Sequence, residues 1–520
     1  MGQPVSVLRG ARAFARDMAR DQMAPGYLWD VRDYVPMMID ALLTSRGAWI
    51  WGTSTTAGAD YEAGILAPYI AGEQILAAAN GQLYQVSNTS PYPITLRGTV
   101  PVARQNPVML FDSVIWMDGS GAQKPYIVNS SGAPFQISGA NAPNVKLGTI
   151  WGEYFVGGNQ PGHEDTLYWG PPNDITQPWD ANALTRTANQ ITGLAALRTI
   201  IIVFHPGSVE RLRGSRPPAG TTQGDMILEP LFKQVGLTEP KTIAYWNENV
   251  VFADEHGVHI TDGAVLRNLV QQGSIQSYWR NLYNNKVSIC GAVFLDYYIV
   301  SVNRTDGITD TLVCDLNQRL WFRFTNLVVT CLFESSGTIG MERLFAGIVG
   351  TQRLARLSGC FFPARVGAVN VDGNGVNVQP YLETSFYKLS QEGRKRLRFV
   401  YLSYDARMGT LAQSAEPVGQ MAAWQERFRP EEFVPVEQLD LQPQASATQA
   451  LQCAYILNPQ DTTWTTAGTY PLTSLYTRNR LPIGKMPYGI AFQIQQISPT
   501  SVTRVNDIAI EAHPVERSRV

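Results

Sequence analysis

The chain has little of what most chemistry needs. It carries five cysteines and five histidines in 520 residues, and the cysteines (Cys290, Cys314, Cys331, Cys360 and Cys453) stand singly, mostly in apolar, strand-like runs such as VSICGAVF and VVTCLF. No CxxC pair exists, which argues against a zinc site or a dithiol redox motif. Buried free thiols are the expectation, and they suit assembly in a reducing cytoplasm. Charge is scarce as well: Asp, Glu, Lys and Arg make up 16% of the chain, against roughly 25% in an ordinary soluble domain. With 41 basic and 43 acidic residues and a net charge of −2, there is no global positive field to grip nucleic acid. Long hydrophobic runs are missing. The strongest, Leu197 to Phe204, is interrupted by Arg198 and falls far short of the ~20 residues that cross a bilayer, so no membrane anchor is expected. The opening MGQPVSVLRGARAFARDMARDQMAPG lacks the apolar core of a signal peptide, and it fits a myristoylation pattern only loosely. Lysine is rare too: eight of the 41 basic residues, leaving 33 arginines. Arginine's planar, permanently charged fork suits interfaces, although a biased source genome would produce the same ratio.

What is present favours strands and turns. Asn, Gln, Ser, Thr and Gly replace the missing charge, with 45 Gly and 32 Pro. The 12 Trp, 22 Tyr and 19 Phe exclude a disordered chain. The length implies about three domains, or one large repeat domain with appendages.

From about 74 to 359, short β-rich runs recur between Gly, Asn, Asp or Pro turns, and many pair as hairpins. These are QILAAANGQLYQVS, PVMLFDSVIWMDG, GTIWGEYFVGG, LRTIIIVFHPGSVERLRG, ENVVFADEHGVHITDG, GAVFLDYYIVSVN and RLFAGIVGTQRLARLSG. Asn80-Gly81 and His256-Gly257 are the tightest turn signals, because Gly takes positive φ at little cost. In Gly257–Thr261 the alternation sends Val258 and Ile260 one way and His259 and Thr261 the other. Units starting every ~30 to 50 residues predict a β-propeller of about six or seven blades. A stacked array of sandwiches is the structural rival.

The expected organisation is therefore all-β. Residues 1–49 form an N-terminal arm and extended lead-in, and 50–360 the propeller-like domain. Residues 361–520 form a C-terminal β-sandwich-like domain, interrupted by a Gln/Pro-rich excursion near 416–449. The arm (1–22) and the excursion lack long apolar faces and are expected to order mainly against partners.

Candidate chemistry is thin. There is no Walker loop and no GxSxG elbow. Asp254, Glu255, His256, His259 and Asp262 could converge on zinc, or form a solvated polar turn. Glu153, Glu164, Asp165 and Asp174, near Tyr168 and Trp169, are the densest acids for glycoside chemistry, or belong to a blade-connecting loop. Arg211, Arg213 and Arg216, and Arg394, Lys395, Arg396 and Arg398, could touch phosphates or face solvent or a subunit; Arg396 and Arg398 are expected on one strand face. Asp372 and Asn374 begin a calcium-loop spacing without completing it and read as a turn. No catalytic, cofactor-binding or metal residue is assigned, and no cofactor is expected.

The segment APGYLWDVRDYVPMMIDALLTSRGAW resembles the opening of the tail nozzle proteins of short-tailed phages, also called tail accessory or packaged-DNA stabilisation proteins. The pattern is carried by Pro25-Gly26, Asp30, Asp33 and Arg46-Gly47. LYWGPPNDITQPWD, FHPGSVERLRGS and FADEHGVHITDG are similar to blade strands and hairpins of such propellers. The resemblance spans about 25–360, is weaker in the C-terminal domain, and does not extend to the Arg-rich residues 1–22. It implies a non-enzymatic structural virion protein made in the host bacterial cytoplasm. Its copies would form a ring, as a hexamer, at the distal end of a short tail. The ring would continue the DNA channel and retain or release the genome, with tail adaptor or portal-side proteins, tail fibre or tip proteins and transient double-stranded DNA as partners. The alternative is a propeller tail protein that binds or hydrolyses glycans.

Overall fold

Each of the seven hairpins read from the sequence lies within a four-stranded antiparallel meander of the computed structural model. The structure describes residues 50–361 except for 70–71, 88–91, 221–223, 307–308, 326 and 336–342. Beyond that range it describes mainly the strands named below. Six meanders are separate four-stranded sheets, the blades of a β-propeller. In chain order they span 61–99 (blade one), 108–136 (two), 147–186 (three), 193–233 (four), 244–268 (five) and 329–356 (seven). A further meander, 286–324 (six), sits between blades five and seven and is the start of a larger sheet. The first strands of blades six and seven, Lys286–Phe294 and Val329–Ser335, lie side by side, and the latter adjoins the first strand of blade one, Tyr61–Tyr69. The ring thus closes. Among the described residues the only α-helices are Leu269–Gln272 and Gln276–Asn284, which link blades five and six.

Local chemistry explains the hairpins. Asn80 and Gly81 both have positive φ, +47° and +74°, the two-residue turn whose twist matches its flanking strands. In blade five the loop residues are Glu255 and His256, while Gly257 (φ +155°) begins the outgoing strand opposite Asp254. A Cβ at Gly257 would meet the Asn268 side chain at 2.6 Å.

Burial departs from simple alternation. All of Gly257–Thr261 is buried, His259 and Thr261 included. A propeller blade is covered on both faces by its neighbours, so both sides of its middle strands enter cores. Phe204 of blade four packs on Phe252 of blade five at 4.8 Å, and Ile201, Ile202 and Val203 are fully buried. Each such side chain contributes about 1.5–3 kcal/mol by leaving water.

Blade seven takes its fourth strand, Ile50–Trp51, from the other end of the domain; Ala355 pairs with Trp51 and Arg356 with Ile50. The fourth strand of blade six, Leu320–Phe324, is no free edge. Tyr27–Arg32 joins it in parallel through Arg32 and Arg323, and the sheet continues through Tyr381–Thr384, Gly489–Gln496, Ala450–Ile456 and Thr465–Pro471 to a total of eleven strands. A six-stranded sheet combines Thr477–Pro482, Lys395–Met408, Ser501–Pro514, Leu43–Ser45, Tyr34–Pro36 and Val5–Arg9. Both ends of the chain therefore build the same sheets, and pairing crosses the positions 49/50 and 360/361. The excursion near 416–449 lies outside the described residues, as do Pro25-Gly26, Arg46-Gly47, Asp372, Asn374 and Arg394.

Candidate functional site

The blade-five hairpin holds the strongest polar constellation. Asp254 Oδ1 accepts from the backbone N–H groups of His256 and Gly257 (2.8 and 2.9 Å) and lies 2.8 Å from His259 Nε2. The Trp279 indole donates to the Asp254 carbonyl at 2.9 Å. His259 stacks on Phe252, and its Nδ1 is buried without a partner. The other members of the sequence cluster point elsewhere. His256 is half-exposed beside Glu255, and Asp262 caps its own turn through Ala264 and Val265. The carboxylate that was expected in a solvated turn is thus buried and bonds one histidine. Among the described residues no group of three or more His, Cys, Asp or Glu could hold a metal ion.

Blade four repeats this device with the order reversed, which the sequence reading missed. His205 Nε2 lies 3.0 Å from Glu210 Oε2, and its Nδ1 is 2.8 Å from the Gln190 carbonyl. The signal was available: FHPGSVE and ADEHGVH both place an acid and a histidine five residues apart across the middle hairpin. Both pairs sit among core side chains, where they satisfy buried polar groups.

The blade-three acids fall into two groups at opposite ends of the blade. Glu153 sits in the first turn, beside Asn173 and Asp174 in the loop after the third strand. Glu164 and Asp165 begin that third strand, His163–Trp169, so its length places them ~15 Å away. Hydrogen bonds from Thr176 and Gln177 hold Asp174 below its ordinary pKa, and the Gly162 N–H does the same for Glu164. Neither is the raised acid that glycoside cleavage needs. Trp169 and Trp179 are buried core residues. Arg211 and Arg213 both pair with Glu229 on the neighbouring strand, at 2.9 and 2.6 Å. They line a ~520 Å³ surface hollow with Thr199, Ile200, Gly214, Asp225 and Ile227. The backbone of Arg216 is tied to Asp225. Lys395, Arg396 and Arg398 lie on Lys395–Met408, where a register shift between Leu397 and Phe399 interrupts the alternation.

Side chains cross the propeller axis. Lys241, leading into blade five, donates to the Glu62 carbonyl of blade one at 2.6 Å, and Arg104, before blade two, reaches the Thr238 carbonyl before blade five at 3.3 Å. These blades are not neighbours in the ring.

The residues of the lead-in gather where it meets blade six. Asp30 Oδ2 is shared by Arg32 (2.7 Å), Arg16 (3.2 Å) and Arg323 (3.2 Å). Arg323 also donates to the Tyr278 hydroxyl at 2.7 Å. Burial works against the Arg323 charge, but Asp30, Tyr278 and Asp310 outweigh it and raise its pKa. Asp33, at φ +58°, accepts from the Thr325 N–H at 2.9 Å and from the Thr325 hydroxyl. Asp17 accepts from the first N–H groups of the Gln276–Asn284 helix, at Gln276 and Ser277. Part of the N-terminal arm thus docks on its own chain.

No family model matches the chain, and no curated protein matches it. Solved structures with a similar fold include the N-terminal domain of Nup159 (9% identity, TM-score 0.38, covering 62% of this chain and 97% of that one). The BBS1 N-terminal domain in complex with ARL6 is another (10% identity, TM-score 0.39, covering 60% and 96%), and a nidogen/laminin complex a third (10% identity, TM-score 0.30, covering 48% and 92%).

Proposed function

We propose that this chain is a structural subunit of a phage tail, present in several copies as a ring at the distal end of a short tail. The ring continues the DNA channel and retains or releases the genome. The observation that carries this reading is the use made of Asp30 and Asp33. These residues of the nozzle-like lead-in bind Arg323 and Thr325 and clamp the propeller to the sheets built by the chain ends. They serve architecture. Lys241 and Arg104 cross the propeller's own axis, so in this reading DNA passes between subunits. A net charge of −2 suits a conduit that must not hold DNA, since each neutralised phosphate adds affinity. The glycan-directed alternative gains no support from blade three, whose acids stand at opposite ends of the blade.

The test is electron microscopy and native mass measurement of the purified chain, with quantitative protein composition of the virion that carries it. Multiple copies around one axis at the tail end are expected. Absence from the virion, or one copy away from the tail, overturns the reading.

A further inference from the structure

We infer that the propeller face formed by the first-to-second and third-to-fourth strand turns docks, in the assembled ring, against the opposite face of a second copy. This rests on the ring reading above. Among the described residues, four blades build the first-to-second turn from two residues: Phe111-Asp112, Gly152-Glu153, Asn247-Glu248 and Leu295-Asp296. The first residue of each has positive φ, from +51° to +60°. Gly and Asn fit that conformation, whereas bulky Phe and Leu are disfavoured there. Phe111 and Leu295 are also 61% and 40% exposed. An isolated subunit gains from neither property. Two further exposed apolar side chains, Ile227 (55%) and Val265 (52%), emerge on this face at the third-to-fourth connections of blades four and five.

Charge identifies the occupant. Beside the apolar tips stand Asp112, Glu153 and Glu248, all exposed; on the same face Arg198 and Arg213 are paired to Glu248 at 3.1 Å and to Glu229 at 2.6 Å, and Arg216 is exposed beside Asp225. No lysine stands in these turns. Of the five lysines of the propeller, Lys241 is engaged by the Glu62 carbonyl of its own chain; the other four (Lys124, Lys146, Lys233 and Lys286) lie in or beside the second-to-third and fourth-to-first connections, which form the opposite face. An acidic face with apolar tips and a lysine-bearing face on the same body complement each other head to tail, the contact geometry that closes rings.

The experiment compares the full-length chain with Phe111→Asn/Leu295→Asn and with Glu153→Lys/Glu248→Lys, by sedimentation across concentration and by thermal unfolding. Asn suits the left-handed region, so the first variant is expected to melt no lower than wild type. Its self-association is expected to weaken about tenfold or more, and that of the charge variant to weaken likewise. A wild-type multimer matched by both variants overturns this contact and leaves the ring standing. A wild type that stays monomeric at every concentration overturns the ring reading, and this contact with it.

Discussion

Arg323 on the outer strand of blade six and Asp30 on the lead-in lie 3.2 Å apart, and they join the propeller to the sheets built by the chain ends. Asp30 is fully buried and accepts from three arginines through a single oxygen. Removing it leaves Arg323 buried with Asp310, 3.4 Å away, as its remaining carboxylate. Breaking such a pair from one side costs about 3–5 kcal/mol. Asp30→Ala is expected to lower stability by that amount in urea unfolding. Limited proteolysis should then cut the lead-in before the blades. An unchanged midpoint would show that the cluster contributes nothing.

Asp254 forms its own turn and holds His259. Asp254→Ala removes four hydrogen bonds, with the His256, Gly257 and Gly236 N–H groups and with His259, and is expected to cost about 2–4 kcal/mol. Asp254→Asn keeps an acceptor for the two turn N–H groups and should cost less than half as much. Equal losses in the two variants would mean that the turn bonds are not the main contribution.

All five cysteines are buried. Burial pushes the Cys331 thiol up to about 11 and the Cys453 thiol up to about 12, so neither supplies thiolate near neutral pH. A thiol-reactive dye should label none of the five in the native chain at pH 8 and all five in denaturant. Fast native labelling at one site would identify an opening there.

Glu62 has one carboxyl oxygen buried without a hydrogen-bond partner, and its pKa is raised by burial, against the hydrogen bond from the Gly81 backbone and the pull of Lys241. A carboxyl whose folded pKa lies above its unfolded value costs stability as pH rises through the folded pKa. Glu62→Gln should therefore melt higher than wild type at about pH 8. The gap should close toward about pH 4, where the carboxyl is protonated in the folded state. A gap that widened toward acid would show the opposite sign of coupling.

The hairpins are legible in the order of the amino acids alone. Asn80-Gly81 specifies its turn through backbone conformations that few residues share. The alternation around such turns marks strands whose partners lie within ten residues or so, and each of the seven hairpins accordingly falls within one blade. Local order of that kind needs no knowledge of the rest of the chain. Long-range packing, by contrast, decided that Ile50–Trp51 completes blade seven against Arg353–Arg356, about three hundred residues on. It also decided that strands from both termini share two sheets and that Asp30 meets Arg323. The same holds for His259 and Thr261, which alternate like outward residues yet are buried, because blades stacked around an axis cover both faces of their middle strands. Pairing across such distances leaves no periodic trace in either partner. It is selected by which exposed edge and which complementary charge the folded blades present, and these exist only once the blades have formed.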